Sequence, residues 1–528
     1  MLENLLLGFQ TAISLTTLWY CFLGVLLGMI IGVLPGIGSV AAISLLLPFT
    51  FNIDPISGIV MLAGVYYGGQ YGGSTASILL NLPGAPSSAV PCLDGYPMAK
   101  KGKAGLALFI TTIASFVGAL IGLVLLVLFS PALAQAAQQF GPAELFSMML
   151  LGLVAASTLS SGSPAKGLAM VVLGLLISMV GSDVQTGEFR FTFERPELMD
   201  GIKLVALAMG LFGIAELINS INIPHDTSLM KKKITMRSML PTKEEWKRSG
   251  MPMLRGSAIG SFLGTLPGVG PSIASFMAYA TEKKVAKHKK ELGQGAIEGV
   301  SAPEAANNAA VQTAFVPSLS LGLPGDAGMA IMLGALMIHG IQPGPMLISE
   351  QPGLFWGLVI SFIIGNVILL ILNIPLISIW VSMLKIPFKW LFPAILIFIC
   401  LGVFSEQNNY YDIYMAAIIG MVGYFLYVLK FEPAPLLLGY VLGAPMEENL
   451  RRALQLSGGD GMTFLSRPIS AVFLAFAALI LLWTTWSALK RIARSHERAV
   501  EHDLSHEHEH PHENPPSPAV TPQLAKQG

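Results

Sequence analysis

The most polar stretch inside the apolar second half reads SAPEAANNAA, residues 301–310. Glu304 is three residues from Asn307 and four from Asn308, so on a helix the carboxylate and both amides share a face. A carboxylate within a bilayer is functional by default. The other reading is a helix start, with Ser301 as cap and Glu304 at the third position. That capping box would leave Glu304 near the membrane interface. The second group of candidates is four Gly/Pro motifs: GVLPGIGS at 32–39, NLPGAPSS at 81–88, GTLPGVGP at 264–271 and GLPGDAGM at 322–329. Pro removes a backbone donor and Gly opens turns closed to other residues. Each motif therefore splits a helix into a half-helix, a turn and a second half-helix. Kinks or close helix packing through small residues are the alternative.

Charge limits what such turns can bind. Residues 1–99 and 291–384 contain no Lys or Arg, so a bound carboxylate would meet no fixed cationic side chain there. It could meet N–H groups at half-helix N-termini, where the helix dipole favours an anion. Ser74, Thr75, Ser77, Asn81, Asn307, Asn308 and Thr313 offer further polar contacts. A co-transported cation, held by carbonyls where helices break, would supply positive charge. A neutral solute fits the same residues. Asp326 follows Pro-Gly and reads as a turn residue or a cation ligand; Asp54, before Pro55, reads as a turn residue.

Other chemistry is poorly supplied. Cys21, Cys92 and Cys400 have no pair or metal spacing and read as packing residues. Six of the nine histidines, 496, 502, 506, 508, 510 and 512, lie in a polar tail with no second cluster to complete a metal site. No Walker, HExxH or GxSxG pattern occurs, so neither ATP-driven action nor an enzyme is expected, and no cofactor.

The elements that must position these residues are membrane helices. The 528-residue chain is 53% hydrophobic and 12% charged. A soluble domain carries about 25% charged residues, so this composition cannot cover a water-facing surface. Apolar stretches from Leu5 to Leu489 allow roughly ten to twelve spans. Met1 to Leu5 lacks the basic start of a signal peptide, so the apolar segment after it reads as the first span. The first-half motifs recur in the same order at offsets of 232 and 241 residues. This recurrence gives two related halves, a first repeat at 1–222 and a second at 256–490. Residues 223–255, with eight Lys/Arg against three acids, form a basic cytoplasmic connector. Residues 491–528 are a disordered His/Pro-rich tail.

The lysines set orientation. Lys100, Lys101 and Lys103 follow the NLPG motif, whereas Lys283, Lys284, Lys287, Lys289 and Lys290 precede the GLPG motif. The matching loops, 50–57 and 341–350, have none. If lysines mark the cytoplasm, matching loops lie on opposite sides. The expected fold is therefore all-α and polytopic, with two inverted-topology repeats and re-entrant, Gly/Pro-broken hairpins. The basic residues after the last span, Lys490 to Arg498, fit strict inversion less well. The lysine runs read as topology signals, with lipid head-group binding as the alternative, and no nucleic-acid partner is expected.

Several runs resemble one known family, the large permease subunit of tripartite tricarboxylate transporters, the TctA family. They are GVLPGIGSVAAISLLLPFTF, YYGGQYGGSTASILLNLPGAPSS and DGYPMAKKGKAG in the first half. GTLPGVGPSIASF, APEAANNA, SLSLGLPGDAGMAIMLGAL and PAPLLLGYVLGAPMEENLRRAL continue the likeness, which covers about residues 1–490. The resemblance implies a multi-pass protein of a bacterial inner membrane. It implies two protein partners, a small four-span membrane subunit and a periplasmic solute-binding protein. It implies uptake of citrate-like tricarboxylates or related organic anions, driven by a sodium or proton gradient. The family's glycine-rich hairpins fall here on Pro35, Gly36, Gly38, Asn81, Pro83, Gly84, Pro267, Gly268, Gly270, Pro324 and Gly325. The Asn307–Asn308 pair belongs to the same signature, and Ser74 and Thr75 join the binding set as polar contacts. A passive channel with re-entrant loops is the competing reading.

Overall fold

In lipid the backbone has no water to bond, so apolar runs satisfy it within helices. The computed structural model describes residues 2–34, 38–158, 163–183, 186–221, 234–384, 386 and 388–486. Pro35, Gly36 and the His/Pro-rich tail lie outside the described residues. The first half runs through α1 (Leu2–Ala12), α2 (Leu15–Val33), α3 (Gly38–Leu46), α4 (Pro55–Leu80), α5 (Ala89–Lys100), α6 (Ala104–Ala137), α7 (Pro142–Thr158) and α8 (Pro164–Ser178). A short antiparallel pair, Gly181–Ser182 with Phe189–Arg190, precedes α9 (Leu204–Ala208), a π-helical turn (Met209–Ile214) and α10 (Ala215–Ser220). The second half holds α11 (Met236–Met239), α12 (Lys243–Gly264), α13 (Gly270–Val285), α14 (Glu298–Thr313), α15 (Phe315–Leu321), α16 (Ala327–Ile338), α17 (Leu347–Glu350) and α18 (Pro352–Asn373). Then come α19 (Ile377–Met383), α20 (Phe388–Gln407), α21 (Tyr410–Val428), α22 (Pro433–Leu456) and α23 (Thr463–Ser466). The chain divides into two units, Met1–Ala478 and Leu479–Gly528, and helices α1 to α23 all lie in the first.

Six described helices are long and apolar enough to cross a membrane, and five more are apolar but only 10–17 residues long. The ten to twelve spans expected from apolar length thus include fewer full-length ones. Gly/Pro motifs follow the ends of α2 and α12 and set off α3, α13 and α16 as shorter pieces.

Two helix pairs form the centre. Gly24, Gly28 and Gly32 on α2 face the carbonyls of Met61, Val65 and Gly69 on α4, with an added Cβ lying 2.1, 2.5 and 2.3 Å from those oxygens. Gly256, Gly260 and Gly264 on α12 face the carbonyls of Ala302, Ala306 and Ala310 on α14, at 2.1, 2.0 and 2.5 Å. The glycines are offset by 232 residues and the carbonyl residues by 241, the same offsets as the motifs. Only glycine permits such approach, so backbone meets backbone, with the Thr313 hydroxyl also pressing on Gly264 at 2.2 Å from the Cβ position. Gly118 and Gly122 on α6 similarly face Ala305 and Ala309 of α14. Every residue of α14 is buried, as is Ser57–Leu80 of α4.

Helix starts follow local chemistry. Asp54 caps α4 by accepting from Ser57 N at 3.1 Å, with Pro55 in the first turn. Thr242 and Glu245 form a capping box on α12. That helix runs through residue 255, so the expected boundary between connector and second half falls inside it. The capping-box reading of Ser301–Glu304 fails, because α14 already begins at Glu298 and Ser301 lies within it, 0% exposed. Glu298 is held there by both Nε and an Nη of Arg248, at 2.9 Å each. Arg248 also reaches Glu291 at 2.8 Å, and that hydrogen bond keeps the Glu291 carboxyl below its usual range.

Loops gather in two sets. The Lys101 ammonium donates to Gln294 O at 2.6 Å. Buried Asp94 of α5 accepts from Gly293 N, Gly295 N, Ala296 N and the Tyr279 hydroxyl, all at 2.7–3.0 Å. The two lysine-bearing segments are thereby joined. Elsewhere His339 Nε2 lies 3.2 Å from Thr50 Oγ1, joining the two segments without lysines.

Candidate functional site

The motifs meet in pairs. In the first half Gly38 has φ +66°, and its Cβ direction ends 3.3 Å from Gly84 O. A Cβ on Gly84 would lie 2.7 Å from Gly32 O and 3.0 Å from Gly73 Cα. In the second half Gly270 has φ +65° and faces Asp326 Cβ at 3.2 Å, while a Cβ on Gly325 would lie 3.0 Å from Ala314 Cβ and 3.7 Å from Gly264 O. The NLPG turn therefore sits against Gly38 at the start of α3, and the GLPG turn against Gly270 at the start of α13. Gly268, φ +79°, presses on α7, with a Cβ only 2.7 Å from Ala156 Cα.

Asn81 caps the end of α4 in the left-handed conformation, φ +58°, a place asparagine tolerates better than most residues. It is exposed, as is Pro83; Pro267 is half-buried, and Pro324 and Gly325 are buried. Beneath the first-half turns, Gln70 Nε2 donates to Ser39 Oγ at 3.0 Å and the Ser87 hydroxyl donates to Gln70 Oε1 at 2.6 Å. One amide thus ties α4 to both turns. In the second half Asp326 caps α16 by accepting from Met329 N at 2.9 Å and also accepts from the Tyr66 hydroxyl of α4. Both a turn role and a contact across the halves fall on this residue.

Between the halves lies the group that includes Glu304. The Ser74 hydroxyl of α4 donates to Glu304 Oε1 at 2.6 Å, and the Ser115 hydroxyl of α6 donates to Oε2 at 3.1 Å. Asn308 Nδ2 donates to Ser115 Oγ at 2.8 Å and to Glu304 O at 3.1 Å. Ser74 and Asn308, both expected site residues, are brought together through Glu304. Thr75 and Asn307 are buried nearby in sequence but join no part of this chain of bonds. Several buried polar atoms have no partner: both amide atoms of Asn307 and Gln312, Asn308 Oδ1, and the hydroxyls of Ser88, Ser275 and Ser301. Such atoms cost about 1–3 kcal/mol each when left unpaired, so their grouping on α14 and on α13 beside it, Ser88 apart, marks a place for a polar ligand or water.

Sequence reasoning missed Ser115, Gln70 and Gln312. Gln312 carried a signal, since 304, 308 and 312 are successive turns of one helix face. Ser115 carried little, being one of four hydroxyls in a 34-residue apolar helix. Among the described residues no group of three or more His, Cys, Asp or Glu is placed to hold a metal ion.

Six described helices long and apolar enough to cross a membrane, in an almost wholly helical fold, define a multi-pass membrane protein. The family model of the tripartite tricarboxylate transporter TctA family matches residues 18–438, and the chain belongs to that family. It is similar to an uncharacterized 52.8 kDa protein in the TAR-I ttuC' 3'region of Agrobacterium vitis, 48% identical over 475 residues, 90% of this chain and 94% of the relative. A second protein of Agrobacterium vitis, uncharacterized and in the TAR-II ttuC' 3'region, is 53% identical over 215 residues, 41% of this chain and 89% of the relative. No solved structure matches the chain. The family is one of transporter subunits, not of enzymes.

Proposed function

We propose that this chain is the permease subunit of a tripartite secondary transporter in a bacterial inner membrane. It takes up a citrate-like tricarboxylate or related organic anion, delivered by a periplasmic solute-binding protein. A small four-span subunit completes the membrane part, and a sodium or proton gradient drives uptake. The solute docks against the paired turns: Pro35, Gly36, Gly38, Asn81, Pro83 and Gly84 in one half, Pro267, Gly268, Gly270, Pro324 and Gly325 in the other. Ser74, Thr75, Asn307 and Asn308 line the space between them. The organisation is a first repeat at 1–222, a connector at 223–255, a second repeat at 256–490 and a tail at 491–528.

The carrying observation is the doubled arrangement of broken helices around unpartnered buried polar atoms, in a chain of this family. Inversion is supported by which loops meet. The Lys101 segment bonds the segment after α13, and Thr50 meets His339, so each loop neighbours the non-matching loop of the other half. Two halves of opposite orientation place loops in that way.

Reconstitution of all three components in proteoliposomes, with an imposed sodium or proton gradient, tests the reading. Labelled citrate should accumulate inside above its external concentration. Flux that stops at equal concentrations would identify a passive channel instead.

A further inference from the structure

Resting on the reading of a cation-driven permease, we infer that Glu304, Asn308, Ser115 and Ser74 form a binding site for one sodium ion between α4, α6 and α14. The carboxylate is 0% exposed, and among the described residues no Lys, Arg or His pairs with it. Residues 1–99, 104–165 and 291–384, which supply α4, α6 and α14, contain no Lys or Arg. The arginines on neighbouring α12 are committed elsewhere: Arg248 to Glu298 and Glu291, Arg255 to Glu282 at 2.7 Å. A buried charge without a counter-charge is unfavourable, so the site calls for a cation or a proton.

Asn308 points to the cation. Its Nδ2 is spent on Ser115 Oγ and Glu304 O, which leaves Oδ1 buried with no partner. A proton on Glu304 would neutralise the carboxylate but supply only one donor to a group of several oxygens. A small hard cation takes carboxylate, amide carbonyl and hydroxyl oxygens together. One carboxylate balances one charge, so a monovalent ion leaves the buried site neutral where a divalent ion would not. The site is also single: positions 241 residues earlier than Glu304 and Asn308 are Ala63 and Tyr67. Its ligands join α4 and α6 of one half to α14 of the other, so occupancy bears on how the halves hold together.

The test is sodium binding to the purified full-length permease in detergent, at fixed pH, with choline chloride holding ionic strength constant. NaCl should raise the melting temperature in a saturable way, with calorimetry giving one site per chain; choline and potassium should not. Glu304→Gln, which keeps the shape and can still bond Ser74, should abolish the shift. Asn308→Ala and Ser115→Ala should each raise half-saturating sodium about tenfold or more. Should Glu304→Gln fail to fold, those two variants carry the test. A wild-type protein indifferent to sodium, or one stabilised only by lowering pH, overturns the inference. So does a sodium shift that survives in Glu304→Gln at the wild-type midpoint. Neither solute nor partner subunits are present, so a failure here leaves the uptake result standing, and a failure of uptake leaves sodium binding standing.

Discussion

Gly260 lies in the middle of the α12 stripe, where a Cβ would stand 2.0 Å from the carbonyl oxygen of Ala306. Ordinary contact starts at 3.4 Å, so Gly260→Ala demands that α12 and α14 separate by about 1.4 Å. The obstacle is backbone, which has no rotamer to turn, so the cost sits toward the upper end of the ~1–3 kcal/mol typical of overpacking. Alanine's better helix propensity returns about 0.8–1 kcal/mol. The net loss is then about 2 kcal/mol. The displaced residue adjoins Asn307, and a shift of that size exceeds the tolerance of the 3.1 Å Ser115–Glu304 bond. Uptake at matched membrane abundance should fall more than tenfold, and the melting temperature in detergent should drop by several degrees. Gly250, on the same helix with nothing within 4 Å of its Cβ direction, is the control. Gly250→Ala should be neutral or slightly stabilising. Wild-type uptake and melting for Gly260→Ala would refute the backbone-contact argument.

Asp94→Ala strands the buried N–H of Ala296, at roughly 1–3 kcal/mol, while those of half-buried Gly295 and exposed Gly293 can turn to water, so thermal unfolding should reveal a loss of about 1–3 kcal/mol; unchanged melting would mean the segment rebonds without the carboxylate. Single cysteines replacing Asp54, Lys101, Lys287 and Pro343, in a background lacking Cys21, Cys92 and Cys400, test orientation with an impermeant thiol reagent on intact cells. Positions 54 and 343 should label from outside and 101 and 287 should not; outside labelling at 287 would sink the inversion.

The sequence made some of this legible and hid the rest for physical reasons. Composition and apolar length pointed to membrane helices, and the doubled LPG motifs located the turns that meet at Gly38–Gly84 and Gly270–Gly325. The matched glycine stripes, 24-28-32 and 256-260-264, were equally present in the letters, but their contacts become visible only once the carbonyls opposite are known. Glu304 was ambiguous because Ser-x-x-Glu is also a helix-start pattern. The structure removes that reading by starting the helix three residues before Ser301. Its partners Ser74 and Ser115 are 230 and 189 residues away in sequence, and no local spacing encodes such encounters. Asn81, grouped with the binding residues by its motif, is placed at the exposed end of α4 in a left-handed conformation, a detail its letter alone does not give.

The glycine stripes also have a mechanical side. Where a carbonyl rests in the notch left by a missing side chain, neighbouring helices mesh like gear teeth spaced one helical turn apart. A small slide rides up onto the next Cα; only a whole step, about 5.4 Å, would bring the teeth back into mesh. The α2–α4 and α12–α14 pairs are therefore stiff struts against gradual motion. Compliance belongs to seams made of side chains, such as the one where Ser74 reaches Glu304 across from α4 to α14, because a side chain can turn to another rotamer while both backbones stay in place.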